Sequence, residues 1–176
     1  VGVHVDPLRV DVAVLDAVIS HEWDRAAEGA EAPARTVEIP VCYGGAFGPD
    51  LDEVAAFASI SADDVVATHA DGTYRVYMLG FLPGFAYLGG VDPRIAMPRR
   101  ESPRTAVPVG SVGIAGVQTG VYPTECPGGW RLIGRTPMAM FDASRARPAL
   151  LQPGDLVRFV PIAHDRWTAV AAGASA

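Results

Sequence analysis

Between Leu79 and Pro137 a glycine or a proline falls every few residues, yet the positions between them are largely Val, Ile, Leu, Phe, Tyr and Trp. A helix interior cannot hold that pattern, because each Gly opposes it by about 1 kcal/mol and each Pro by about 3 kcal/mol. The segment is also too apolar for a disordered linker. What remains is short strands joined by tight turns, with Gly supplying positive φ or close backbone approach and Pro fixing φ. Strands are predicted at 74–79, 106–109, 111–115, 117–121, 131–134 and 156–161, with Gln152-Pro153-Gly154-Asp155 turning into the last. Such a run closes best as a barrel, which leaves no exposed edge.

The first 72 residues read differently. Gly2 to Val5 alternates weakly, as a strand end would, and Asp11 caps a helix whose Val14, Leu15, Val18, Ile19 and Trp23 form one apolar face. The Ala/Glu/Gly/Pro stretch 26–35 is a linker, and Thr36 to Tyr43 is a strand. Pro49 and Asp50 start a second helix, with Asp50 and Glu53 in capping-box spacing and Leu51, Val54, Ala55 and Phe57 inward. Ser61 and Asp64 start a third, closed by His69 before the Asp71-Gly72 turn. Two domains are expected, a small one at 1–35 and the barrel at 36–176.

Composition narrows the function. A chain of 176 residues with 49% hydrophobic content can bury a true core. A formal charge of −6 without a basic run argues against nucleic acid and anionic membranes. No apolar stretch approaches the ~20 residues of a membrane span, and the first residues lack a signal peptide's layout, so a cytoplasmic protein is expected. Cys42 and Cys126 read as reduced thiols, the first buried and the second in an exposed loop. His4, His21, His69 and His164 match no metal-ligand spacing, so no metal is expected.

The chain has no lysine. A P-loop, a Schiff base and a biotinylated lysine are therefore absent, although Met138-Ala139-Met140 superficially resembles a biotin attachment site. Anions must be held by guanidinium forks. Arg99, Arg100, Arg104, Gln118, Thr119, Tyr122, Glu125, Arg131 and Arg135 punctuate the glycine-rich segment, where long polar side chains beside exposed backbone suit a small anionic or amide ligand. The same glycines and prolines also serve a purely architectural reading. His69 is open in the same way, as a helix-terminal cap favoured by the dipole or as a catalytic acid/base.

Four motifs carry a family resemblance: Glu38-Ile39-Pro40-Val41-Cys42-Tyr43-Gly44-Gly45; Gly80-Phe81-Leu82-Pro83-Gly84-Phe85-Ala86-Tyr87-Leu88-Gly89; the run from Pro108 to Pro123 containing Gly116-Val117-Gln118-Thr119-Gly120; and Pro127-Gly128-Gly129-Trp130. Together they resemble the KipI family, also known as allophanate hydrolase subunit 1 or the B-type subunit of 5-oxoprolinase, a carboxyltransferase subdomain C and D-like family. The resemblance implies a mainly β fold, a cyclophilin-like closed β-barrel with a few short helices, preceded by a small α/β N-terminal domain. In the family that first domain is longer by roughly one βαβ unit, so it reads here as truncated.

The resemblance further implies a subunit of a hetero-oligomeric, ATP-dependent 5-oxoprolinase, a hydrolase of a cyclic amide or ureido carbon–nitrogen bond active only with its partner. That partner would be KipA, equivalently allophanate hydrolase subunit 2 or the C-type subunit of 5-oxoprolinase, with room for a LamB/YcsF-type third subunit. The ATP site would be shared with or supplied by the partner. Two alternatives stand beside it: a regulatory protein inhibiting a histidine kinase, and a carboxyltransferase-like domain of a urea carboxylase type system. Residue chemistry and motif position put His69 as the acid/base, with Arg100, Gln118, Tyr122 and Arg135 holding phosphate and substrate carboxylate. Pro83, Gly84, Gly116, Gly128 and Gly129 would form the binding loops. Where they face outward, Phe81, Phe85 and Tyr87 would form an apolar patch for the partner; the other reading is that they fill the barrel.

Overall fold

The computed structural model describes residues 5, 6, 8–28 and 34–173. It divides into two units, residues 1–33 and 34–176. In the first, helix α1 (Val12–Glu28) opens with the Asp11 carboxylate accepting from the Ala13 amide at 2.9 Å. Its expected apolar face is not buried: Val14, Val18 and Ile19 are exposed, as is Trp23 at 74%. The strand end expected at Gly2 to Val5 and the middle of the 26–35 linker lie outside the described residues, as does His4.

Among its described residues the second unit has nine strands: β1 (Thr36–Tyr43), β2 (Tyr74–Leu79), β3 (Ala86–Gly89), β4 (Arg104–Val107), β5 (Ser111–Ala115), β6 (Gln118–Val121), β7 (Cys126–Gly128), β8 (Arg131–Arg135) and β9 (Leu156–Pro161). Seven close into a barrel in the order β1-β8-β5-β6-β3-β2-β9. β1 runs parallel to β9, and the other barrel neighbours are antiparallel. The expected closed, mainly β barrel is present. Two strands were not legible as such: β3, launched by the turn through Gly84, and β7, whose Cys-Pro-Gly sequence carries almost no strand signal. Cys126 is thus half-buried in a strand rather than exposed in a loop. A proline-containing strand is poorly suited to a central ladder, and β7 pairs only with β4, outside the barrel.

Side-chain alternation gives the barrel two packed faces. Inward come Ile39 and Val41 of β1, Leu88 of β3, Val112 and Ile114 of β5, Ile133 of β8, and Val157 and Phe159 of β9. Outward, under the β4–β7 sheet, lies a second cluster of Phe85, Val107, Ala115, Tyr122, Trp130 and Leu132. β5 is therefore buried along its whole length.

Helices α2 (Leu51–Ala58) and α3 (Ala62–Asp71) join the inner core through Leu51, Val54 and Val65. The capping box sits at α3, where Ser61 and Asp64 exchange hydrogen bonds with each other's backbone amides. It is not at α2: Asp50 makes no cap bond, and Phe57 is exposed rather than inward. A short terminal helix, α4 (Trp167–Gly173), ends the described chain. No described helix is long and apolar enough to cross a membrane.

Candidate functional site

The two faces of the barrel wall separate the residues expected to act together. On β6 Thr119 points inward, while Gly120 faces Phe85 and Trp130 of the outer cluster and, just beyond the strand, Tyr122 belongs to it. His69 lies inside. α3 continues past it to Asp71, so it does not close the helix, and it has no exposed surface. Its ring stacks on Phe159 at 4.6 Å.

The hydrogen bonds define the tautomer. Thr119 Oγ1 donates to the Gly113 carbonyl at 3.0 Å, so it accepts from His69 Nε2–H at 2.9 Å. Nδ1 then accepts from the Tyr43 hydroxyl at 2.8 Å. Both ring nitrogens of His69 and the Thr119 hydroxyl are thereby used. Burial pulls the imidazole pKa down to about 3 and pushes the Tyr43 hydroxyl far above the ordinary phenol value. The expected placement of His69 at an open mouth beside Gln118 and Tyr122 is therefore corrected. It is a neutral core residue, not a charged cap, and its ring nitrogens are already occupied.

The open site is on the outer face. A cleft of about 270 Å³ is lined by Phe81, Phe85, Tyr87, Arg99, Tyr122 and Trp130, with Pro103 and the Pro127-Gly128-Gly129 backbone at its rim. Phe85 is its centre, edge-on to Phe81, Tyr87, Tyr122 and Trp130 at centroid distances of 5.7, 5.1, 5.5 and 5.4 Å. Such T-shaped contacts match positive ring edges to negative faces and fix the rings. The Arg99 guanidinium lies 5.9 Å from the Trp130 ring centroid, a cation–π contact that leaves its N–H groups at the cleft.

Two glycines make this geometry feasible. A Cβ on Gly128 would stand 2.5 Å from the Tyr122 hydroxyl, so any side chain there would displace the tyrosine. Gly84, at φ 81, turns the chain where a Cβ would meet Phe141 Cβ at 2.7 Å. Phe81 also has positive φ, 68, in a residue without glycine's freedom, a local strain of the kind that clusters at ligand sites. Of the three aromatics that would form an outward patch, only Phe81 faces outward, at 62% exposure; Phe85 is buried and Tyr87 half-buried.

Of the expected ligand residues, Tyr122 is at the cleft, and so are the loop glycines Gly128 and Gly129. Pro83 and Gly84 form the turn that presents Phe81 and Phe85. Arg100 faces elsewhere, onto Asp50 at 3.3 Å and towards Glu53. Arg135 donates to the Val109 carbonyl at 2.6 Å and covers the Trp167 ring. Gln118 and Gly116 sit at the β5–β6 turn and do not line the cleft. Arg100, Gln118 and Arg135 thus do not converge with Tyr122.

Asp50 explains where Arg100 went. Its buried carboxylate accepts from Arg104 at 2.6 Å and from the Leu132 amide at 2.7 Å, as well as from Arg100. With Arg100 N donating to the Gly129 carbonyl and Arg131 Nε to the Pro98 carbonyl, the network pins the 98–104 loop so that Arg99 faces the cleft. Sequence reasoning counted Arg99 among the polar residues of the segment without singling it out for the site, and read Asp50 as a helix cap; alternation at Arg99-Arg100 signals opposite directions but not which faces a ligand. Among the described residues no His/Cys/Asp/Glu group could hold a metal ion.

Comparison with known proteins fixes the family. Residues 1–151 match the carboxyltransferase domain, subdomain C and D. The chain belongs to that family. It is 57% identical over 143 residues to the 5-oxoprolinase B-type subunit of Bacillus subtilis, covering 81% of this chain and 60% of that protein. It is 53% identical over 148 residues to the 5-oxoprolinase B-type subunit of Escherichia coli O157:H7, covering 84% and 68%. The chain thus spans about 60% of the Bacillus relative's length. Among solved structures, a conserved uncharacterized protein of Pyrococcus horikoshii superposes with TM-score 0.73 at 50% identity, over 92% of this chain and 74% of that one. The Kluyveromyces lactis urea amidolyase superposes with TM-score 0.71 at 22% identity, over 92% of this chain and 12% of its own, a likeness of fold.

Proposed function

We propose that this chain acts as the B-type subunit of an ATP-dependent 5-oxoprolinase, and that the Phe85–Trp130 cleft holds the cyclic amide. The observation that carries the reading is an aromatic cleft with a single arginine at its edge, built from residues inside the segment matched by the family. A flat lactam ring fits against Trp130 and Phe85, and its carboxylate suits the Arg99 fork. The Tyr122 hydroxyl, whose pKa burial raises, stays protonated and can donate to the lactam oxygen.

The cleft does not fit a nucleotide triphosphate. It offers one cation and no Gly-rich phosphate cradle, so no step through ATP is derived from these residues. Nucleotide chemistry that makes the lactam oxygen a leaving group would come with the second subunit, and cytoplasmic ATP supply suits such a complex. Exposed Phe81 with Tyr77 and Met78 supports a partner on this side.

The test is turnover of the full-length protein assembled with its second subunit. Arg99→Ala should raise KM for 5-oxoproline about 10- to 100-fold, the worth of one charge-assisted contact. Unchanged kcat/KM in that variant would remove the cleft from the reaction. Carboxylation of urea without 5-oxoproline cleavage would replace the whole reading.

A further inference from the structure

A second cavity lies away from the cleft. It encloses about 270 Å³ between Arg35, Met138, Arg145, Arg147, Leu150 and Gln152. Two of its arginines stand on a loop that the backbone fixes. Phe141 bridges to Ala149, Asp142 N donates to the Pro148 carbonyl at 2.9 Å, and Leu150 N donates to the Met140 carbonyl at 2.9 Å. Inside the loop the Asp142 carboxylate accepts from Ser144 N at 2.9 Å and from Ser144 Oγ at 2.7 Å. Arg145 and Arg147, two positions apart, are thereby presented to one cavity.

The donors are only partly used. Arg35 commits Nε and Nη2 to Asp155 and the Leu150 carbonyl, leaving Nη1. Arg145 commits Nη1 to the Ala139 carbonyl and Nε to Asp142, leaving Nη2. Arg147 makes no hydrogen bond or ion pair among the described residues. Three guanidinium groups face two carboxylates, so this spot is positive in a chain whose formal charge is −6. One fork satisfies a planar carboxylate, whereas one free fork and two single donors converging from different side chains match a tetrahedral oxyanion.

We propose that this cavity binds the phosphate group of a small phosphorylated ligand, with Arg147 supplying the free fork and Arg35 and Arg145 the flanking donors. The proposal goes beyond the cleft reading and does not depend on it. The probe is inorganic pyrophosphate titrated into the chain by calorimetry, with ATP and acetate as parallel arms. Pyrophosphate should bind saturably and more weakly as salt is added. Arg147→Ala, at an exposed side chain with no hydrogen bond or ion pair among the described residues, should weaken it about tenfold or more, and Arg147→Lys should restore only part. Arg158→Ala, at an exposed arginine paired with Glu38, should leave it unchanged.

ATP binding at least as tightly as pyrophosphate would support the site as a nucleotide's, and weaker ATP binding would support it as one for free phosphate. No saturation by about 10 mM pyrophosphate, acetate binding as tightly as pyrophosphate, or equal weakening by Arg158→Ala would each overturn the proposal.

Discussion

The inner and outer faces of the same barrel wall carry polar groups under opposite regimes. Inside, His69, Tyr43 and Thr119 form a chain in which each donor has one acceptor, and His69 and Thr119 have no exposed surface. Outside, Arg99 rests on Trp130 with N–H groups left over, beside rings that pack each other and still leave a cleft. A saturated buried network rigidifies a core and has nothing to offer a ligand. An anchored but unsaturated cation at an apolar cleft is what recognition requires. A histidine is therefore not a catalytic candidate by type; its remaining valence decides.

The largest expected effect tests the inner face. His69→Ala opens a cavity and strands the Tyr43 hydroxyl, which loses its acceptor, so it should cost about 3–5 kcal/mol of folding stability. Ligand affinity of the fraction that stays folded should be unchanged. Denaturant unfolding with ligand titration measures both. A stable variant that loses turnover would reverse the comparison and restore His69 to catalysis.

Asp50→Ala tests how the outer face is held. It leaves Arg100, Arg104 and the Leu132 amide without their shared acceptor and should cost roughly 2–3 kcal/mol. Unlike His69→Ala, it should also weaken ligand binding at the cleft, because the 98–104 loop loses its pin. Undiminished binding would show that Arg99 needs no such positioning.

The last effect is a pH slope, slight near neutrality and growing only as the solution is acidified. The folded imidazole pKa is depressed to about 3, so below its unfolded value the unfolded chain binds one proton more than the native one. Stability from this group is full above about pH 6.5 and falls as pH drops, by roughly 1.4 kcal/mol per unit down to the folded pKa. His69→Gln should lack that component relative to the parent chain between about pH 6 and 4. Parallel slopes would mean that the native histidine titrates normally.

Several of these features were legible along the chain. The Gly/Pro rhythm announced turns, and β1, β2, β5, β8 and β9 fall where alternation put them. Ser61 and Asp64 make the cap their spacing suggests. Asp50 and Glu53 have the same spacing and do not, because a buried Leu132 amide and two arginines, all distant in sequence, compete for the Asp50 carboxylate. β7 was illegible since only pairing with β4 makes Cys-Pro-Gly a strand.

The sequence by itself determined that this chain turns often, closes its strands into a barrel and carries its basic side chains on arginine without lysine, because turn chemistry, period and residue type are local properties. Only the tertiary structure decided which side of the wall each polar group meets. Adjacent side chains in extended backbone point opposite ways, so Arg99 and Arg100 had to part. Barrel closure and the Asp50 anchor, made between residues far apart in the chain, sent Arg99 to the cleft, Arg100 to the carboxylates and His69 into the dry interior.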